Sequence, residues 1–182
     1  MLILVGHSAS GKTEIANELK RDYDMKKIIT YTTRPIRVNE VNGVDYHFVT
    51  EEEFLSLKEK DFFVETTFFN GYYYGSSKED VKDDAVVILD PVGLANFMNS
   101  KLDNLVAIFL YCDEDIRYKR MIARGDEVNK AKDRLAHDRE KFSYDKLKGI
   151  DEVINTSVFS INYLSELVYV TYNKLLLGKK EG

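Results

Sequence analysis

The apolar run Met1-Leu2-Ile3-Leu4-Val5 leads straight into Gly6-His7-Ser8-Ala9-Ser10-Gly11-Lys12-Thr13, a complete GxxxxGK(S/T) phosphate-binding loop. The order of buried strand, glycine-bounded loop and helix is the context in which that pattern carries meaning. Helix formers follow at once, with apolar residues at Ile15, Ala16 and Leu19. Gly6 and Gly11 let the backbone curl so that successive N–H groups face phosphate oxygens, and a helix opening near Thr13 adds the positive end of its dipole. Lys12 is a mobile charge for β and γ phosphates, and the Thr13 hydroxyl is a hard oxygen ligand for Mg²⁺. Residues 6–13 are thus read as a nucleoside triphosphate site.

The remaining bulk properties narrow the class of partner. The chain has 182 residues and a net charge of −5, so it offers no general positive field for nucleic acid or an anionic membrane. The partners expected are small-molecule nucleotides. The single cysteine, Cys112, excludes an intramolecular disulfide and suits a reducing compartment. Its simplest reading is a small buried residue at a strand end. No apolar stretch approaches the length of a membrane span, and no charged leader precedes the first strand. A cytoplasmic enzyme is the expectation.

Apolar runs recur at residues 2–5, 27–31, 85–89, 105–111 and 152–154, with helical stretches between them. Short apolar strands separated by helices predict an α/β fold, a mostly parallel sheet covered on both faces. Thr50-Glu51-Glu52-Glu53 spells a capping box for a helix running through Leu57. Asp113 and Ser160 stand where they could cap two later helices. Two regions break the alternation. Residues 32–80, rich in Tyr, Phe, Thr and Gly, read as an inserted small β-rich subdomain with one short helix. Residues 120–134 form a charged interruption around Arg124-Gly125-Asp126. A charge run is usually a solvated loop, but beside a phosphate loop its arginines can serve a closing lid.

Within the insert, Arg34 and Arg37 flank Pro35, which disfavours helix at the residue before it. Two guanidiniums together with phenolic hydroxyls match a second phosphate. Glu65, in the aromatic setting Phe62-Phe63-Val64-Glu65, could be either a recognition carboxylate or an ordinary strand-edge residue.

Taken together, the phosphate loop, TTRPxRxxEVxGVDYHFV over residues 32–49, FVE at 63–65, the GxYYGSS-like block at 71–77, the Walker-B-like Val86-Val87-Ile88-Leu89-Asp90 and an ARG…RL segment over 123–135 resemble guanylate kinases in order and spacing. The resemblance covers nearly the whole chain. It implies a P-loop kinase fold with a core at about 1–31, 81–119 and 135–182, an acceptor-binding subdomain at about 32–80 and a short lid at about 120–134. It implies transfer of a phosphoryl group from Mg·ATP to GMP or dGMP. ATP would lie on Gly6, His7, Ser8, Ala9, Ser10, Gly11, Lys12 and Thr13. Arg34, Arg37, Tyr46 and Tyr74 would hold the acceptor phosphate, with Glu65 taking guanine N1–H and N2–H and Thr30 and Ser76 as smaller polar contacts. Thr13 and Asp90 would order Mg²⁺. Lys12, Arg34, Arg124 and Arg134 would act on the transferring group, with Arg120 beside them.

The chain departs from that pattern at Val92, where the family commonly carries a second acidic residue that supports guanine binding. The base pocket is therefore expected to be altered. A related small-molecule kinase with another acceptor, such as a ribose bisphosphate phosphokinase, and a non-catalytic guanylate-kinase-like binding module are the alternative readings. The intact phosphate loop weighs against the second.

Overall fold

The computed structural model describes residues 1–36, 40–69, 71–100, 102–143 and 146–181. Its first sheet has five strands: β1 (Leu2–Gly6), β2 (Lys26–Lys27), β7 (Ala85–Leu89), β8 (Val106–Tyr111) and β9 (Glu152–Asn155), in the order β2-β7-β1-β8-β9. Every pairing in it is parallel. β1 lies at the centre and is buried along its whole length. Because successive side chains point to opposite faces, an uninterrupted apolar strand must be covered on both. Leu2 and Leu4 pack with Ile15, Leu19, Leu164 and Val168 on one side. Met1, Ile3 and Val5 pack with Leu94, Phe97 and Phe109 on the other. The expected parallel sheet flanked by helices is what these residues build.

The helices follow their local signals unevenly. α1 (Lys12–Asp22) opens on Gly11, whose φ of 94° is left-handed, and no side chain caps it. Its first amides are left to face a ligand. α2 (Glu51–Glu59) has the full Thr50–Glu53 capping box. α3 (Pro91–Met98) is capped by Asp90, which accepts from the Gly93 N–H at 2.7 Å. α4 (Glu114–Ala123) lacks the side-chain cap expected from Asp113, because that carboxylate accepts the Tyr111 hydroxyl instead. A turn at 124–127 leads to α5 (Val128–Lys141), so the charge run expected as a loop is largely helical. In α6 (Ile161–Glu181) the Tyr163 N–H donates to Ser160 Oγ. No helix among the described residues is long and apolar enough to cross a membrane.

The second sheet holds β3 (Tyr31–Thr32), β4 (His47–Phe48), β5 (Phe63–Phe69) and β6 (Tyr72–Ser77) in the order β4-β3-β6-β5. Here the strand expected over 27–31 is corrected, for it divides between the two sheets. Lys26–Lys27 pairs with Ala85 and Val86, whereas Tyr31 and Thr32 pair with Gly75 and Tyr74. Two threonines hold the second half in place. Thr32 Oγ1 donates to the Tyr73 carbonyl and Thr33 Oγ1 accepts from the Tyr73 N–H, both at 3.0 Å. The segment thereby crosses from the core to the insert, and a groove opens between them.

Candidate functional site

Where β1 ends, the backbone runs too close to its neighbours for a side chain. A Cβ on Gly6 would lie 2.6 Å from the Leu110 carbonyl and 2.8 Å from Ser10 Oγ. The loop therefore turns tightly over the sheet's C-terminal edge, the usual ligand edge of open parallel sheets. Its polar groups are held by the protein itself. Lys12 Nζ donates to the carbonyls of Gly6 and His7, both at 2.7 Å, and burial pushes its pKa down to about 8. The Ser8 N–H and hydroxyl donate to Asp138 at 2.7 and 3.2 Å. The buried Arg117 donates to the same carboxylate at 2.9 Å. Arg120 donates to the carbonyls of Ala9 and Thr156, and Thr156 Oγ1 to that of Ser10. The His7 ring packs against Phe109 and Phe142. Burial, and then the charge of Arg117, lower its pKa to about 4, so His7 brings backbone and ring but no charge near neutral pH.

Two cavities meet at this loop, and Lys12 lines both. The first, about 280 Å³, runs from Gly6, Ser8 and Lys12 across Asp90 to Glu65 and Tyr74 in the second sheet and to Thr30 and Tyr46, which stand just before two of its strands. The second, about 290 Å³, is lined by residues 9–14 with Arg120, Arg124, Phe159 and Ile161. A pocket walled by phosphate loop at one end and a carboxylate at the other is thus joined to a pocket over the helix N-terminus.

Glu65 is 7% exposed. Oε1 accepts from the Ser76 hydroxyl and Oε2 from the Thr67 hydroxyl, each at 3.2 Å. Asn96 Nδ2 donates to Thr67 Oγ1 at 3.3 Å. Burial pushes the Glu65 pKa up to about 7, against the two hydroxyl bonds and with help from the negative charge of Asp90. A carboxylate whose pKa is pushed up by burial in a cleft is a common mark of a functional site.

Of the other residues singled out from the sequence, Arg34, Ser76 and Arg134 line neither cavity. Arg34 is 8% exposed; it donates to Glu40 and to the Pro35 carbonyl, each at 2.8 Å. Its guanidinium sits over the Tyr46 ring, 5.3 Å from the centroid, one residue removed from the first cavity. Ser76 lies beneath Glu65. Arg124 and Arg134 both donate to Asp126, and only Arg124 reaches a cavity wall. Arg37 lies outside the described residues. Val92 is 50% exposed on the outer face of α3 and lines neither cavity.

Sequence reasoning missed Asp138, Lys141, Thr67 and Asn96. Lys141 Nζ lies 2.9 Å from Asp90 Oδ2, so Asp90 both caps α3 and carries an ion pair. One signal was available: Arg134, Asp138 and Lys141 recur at helical spacing on α5. Thr67 and Asn96 carry no such mark, because their meeting depends on the register between sheet and helix. Among the described residues no three His, Cys, Asp or Glu side chains converge to hold a metal. The donors present, the Thr13 hydroxyl at the helix start and the partly exposed Asp90 carboxylate, are hard oxygens. They suit a Mg²⁺ ion that keeps its waters and leans on substrate phosphates.

The family model described as guanylate kinase matches residues 1–160. A guanylate kinase of Neisseria gonorrhoeae is 34% identical over 135 residues, 70% of this chain and 65% of that protein. One of Onion yellows phytoplasma is 31% identical over 172 residues, 86% of this chain and 81% of its own length. The chain spans just under two thirds of the Neisseria relative and 48% of a chloroplastic/mitochondrial guanylate kinase 2 of Oryza sativa. In structure it is similar to the guanylate kinase of Anaplasma phagocytophilum, with a TM-score of 0.72 and 23% identity over 96% of this chain and 84% of that one; this second likeness is one of fold.

Proposed function

The chain belongs to the guanylate kinase family, and on that premise we propose that it transfers the γ-phosphoryl group of Mg·ATP to GMP or dGMP, giving ADP and the nucleoside diphosphate. The observation that carries this reading is the first cavity, where a buried carboxylate faces a phosphate loop across two tyrosines. Glu65 accepts the N1–H and 2-amino hydrogens of guanine, with Thr30 and Ser76 as further polar contacts. Adenine offers neither donor and turns the lone pair of N1 toward the carboxylate, an acceptor facing an acceptor, which is how a polar site rejects an analogue. Tyr46 and Tyr74, with Arg34 and Arg37, take the acceptor phosphate. In this reading the insert of residues 32–80 is the acceptor-binding subdomain, and 120–134 is the lid.

The donor lies on residues 6–13, its phosphates along the uncapped start of α1. Lys12 leaves its two loop carbonyls for the β and γ phosphates. Mg²⁺, when bound, neutralises phosphate charge, and Thr13 and Asp90 are the residues that would hold it, Asp90 through water. An acceptor phosphate oxygen attacks the γ phosphorus as the bond to the β–γ bridging oxygen breaks. No general base is required, since that oxygen is already anionic near neutral pH. Catalysis is in-line positioning and charge stabilisation, with Lys12, Arg34, Arg124 and Arg134 as the cations. Both lid arginines must first leave Asp126. Closure of insert and lid excludes water and suppresses hydrolysis of ATP. We place the reaction in the cytoplasm, a reading supported by the buried free thiol of Cys112.

ADP release from Mg·ATP, measured with GMP, dGMP, AMP, UMP and CMP beside a blank lacking acceptor, tests the reading. GMP and dGMP are expected to raise the rate well above the blank. A rate that no acceptor changes would remove the kinase assignment.

A further inference from the structure

We propose that the acceptor pocket takes 6-oxopurine monophosphates that lack the 2-amino group, so that inosine monophosphate is a second substrate. The proposal rests on the kinase reading above and concerns how strictly the base is read.

Among the described residues, three carboxylates line the first cavity. Asp138 is engaged by Ser8 and Arg117, and Asp90 by Gly93 and Lys141. Val92, on the first turn of α3, faces outward and is 50% exposed. Recognition of the base's N–H donors therefore falls on Glu65.

A polar pocket rejects an analogue steeply, by roughly 10⁴-fold, when the missing donor leaves a buried acceptor unpaired. Glu65 is built against that outcome. Each carboxylate oxygen already accepts one protein hydroxyl, Ser76 on Oε1 and Thr67 on Oε2. Asn96 donates to Thr67 Oγ1, which turns the hydroxyl proton of Thr67 toward the carboxylate. Whichever oxygen faces the 2-position, removing the amine leaves it with a donor. The loss is then one charge-assisted hydrogen bond, about 10- to 100-fold in kcat/KM. N1–H, present in both guanine and hypoxanthine, stays read. Adenine presents a lone pair at N1 toward the carboxylate and stays excluded.

The test is kcat/KM for GMP, IMP and AMP with the intact chain, beside calorimetric binding of GMP and IMP to the ligand-free protein. IMP is expected within about 100-fold of GMP by both readouts, with AMP inactive. Thr67→Val strips the substitute donor from Oε2 and Ser76→Ala strips it from Oε1, so in the variant whose oxygen faces the 2-position the IMP-to-GMP ratio falls by a further ~10-fold. Thr67→Ser, which keeps the hydroxyl, holds the wild-type ratio. A deficit for IMP beyond about 100-fold, or a ratio that neither Thr67→Val nor Ser76→Ala moves, overturns the proposal. Failure of every acceptor in turnover would defeat the kinase reading instead, and the binding ratio still decides how the base is read.

Discussion

The donor loop and the acceptor pocket solve opposite electrostatic problems. The loop must receive several negative charges, and its cationic and N–H groups are parked on protein acceptors: Lys12 on two carbonyls, Ser8 on Asp138, Arg120 on Ala9. The pocket must present one negative charge to a neutral base, and it does so by burying Glu65 with two hydroxyls and, among the described residues, no cation hydrogen-bonded to it. Buried polar groups cost stability unless paired: among the described residues the loop leaves His7 Nδ1 and Ser10 Oγ without a partner, whereas in the pocket both carboxylate oxygens are paired and burial works against the charge of Glu65 itself. Variants on the two sides should therefore fail in different ways.

The sharpest break is Lys12→Ala. Its ammonium touches only carbonyls that water can reach in its absence, since the side chain is half-buried. Turnover is expected to fall by about 10³-fold, the scale for loss of a cation or donor aimed at developing charge. Thermal unfolding should move little. Near-normal turnover would detach the loop from the chemistry, and collapse of the fold would make Lys12 a structural residue.

Asp138→Asn probes the support behind the loop rather than the loop itself. The amide keeps an oxygen for the Ser8 and Arg117 N–H groups, which share Oδ2, but removes the negative charge that pairs the guanidinium of Arg117, which is 3% exposed. Breaking one side of a buried pair costs about 3 kcal/mol, and denaturant midpoints should fall accordingly. A change below about 0.5 kcal/mol would mean that water or Glu114, 3.7 Å from Arg117, already compensates the charge.

The same contrast explains how much could be seen in the chain beforehand. The loop is eight consecutive residues behind an apolar strand, so position in sequence and position in space coincide. The central strands follow, being apolar on both faces, and so does the Thr50 capping box, whose partners are three residues apart. What could not be seen is what lies across the chain. Asp138 meets Ser8 over a separation of 130 residues, and no periodicity announces it. The 27–31 run looked like one strand because β propensity says nothing about which sheet a residue joins; threonine hydroxyls on Tyr73 decide that. Asp90 was read for metal binding alone, while its place before Pro91 also makes it a helix cap. Val92 drew attention as a missing acid, yet helix phase turns that position outward, and Asn96, one turn on, approaches Thr67 instead.

Glu65→Gln tests the acceptor side, and pH gives it a signature distinct from that of Lys12, whose pKa on the donor side is pushed down to about 8. The folded-state pKa of about 7 lies above the ordinary carboxyl value of 4.5, so the native state holds this proton more tightly than the unfolded chain. Its contribution to stability is therefore full below about pH 4.5 and declines as pH rises to about 7, by an amount on the order of 3 kcal/mol. The ligand-free wild type should lose stability across that window relative to Glu65→Gln, which has no proton to give up. Acceptor binding runs the other way, because guanine N–H groups need the ionised carboxylate, so the KM for GMP should fall as pH rises through 7. In Glu65→Gln the GMP efficiency should drop about 100-fold and lose that pH dependence, while the KM for ATP stays near its wild-type value. Parallel pH profiles for the two proteins would place the titrating group elsewhere, and with it the recognition of the base.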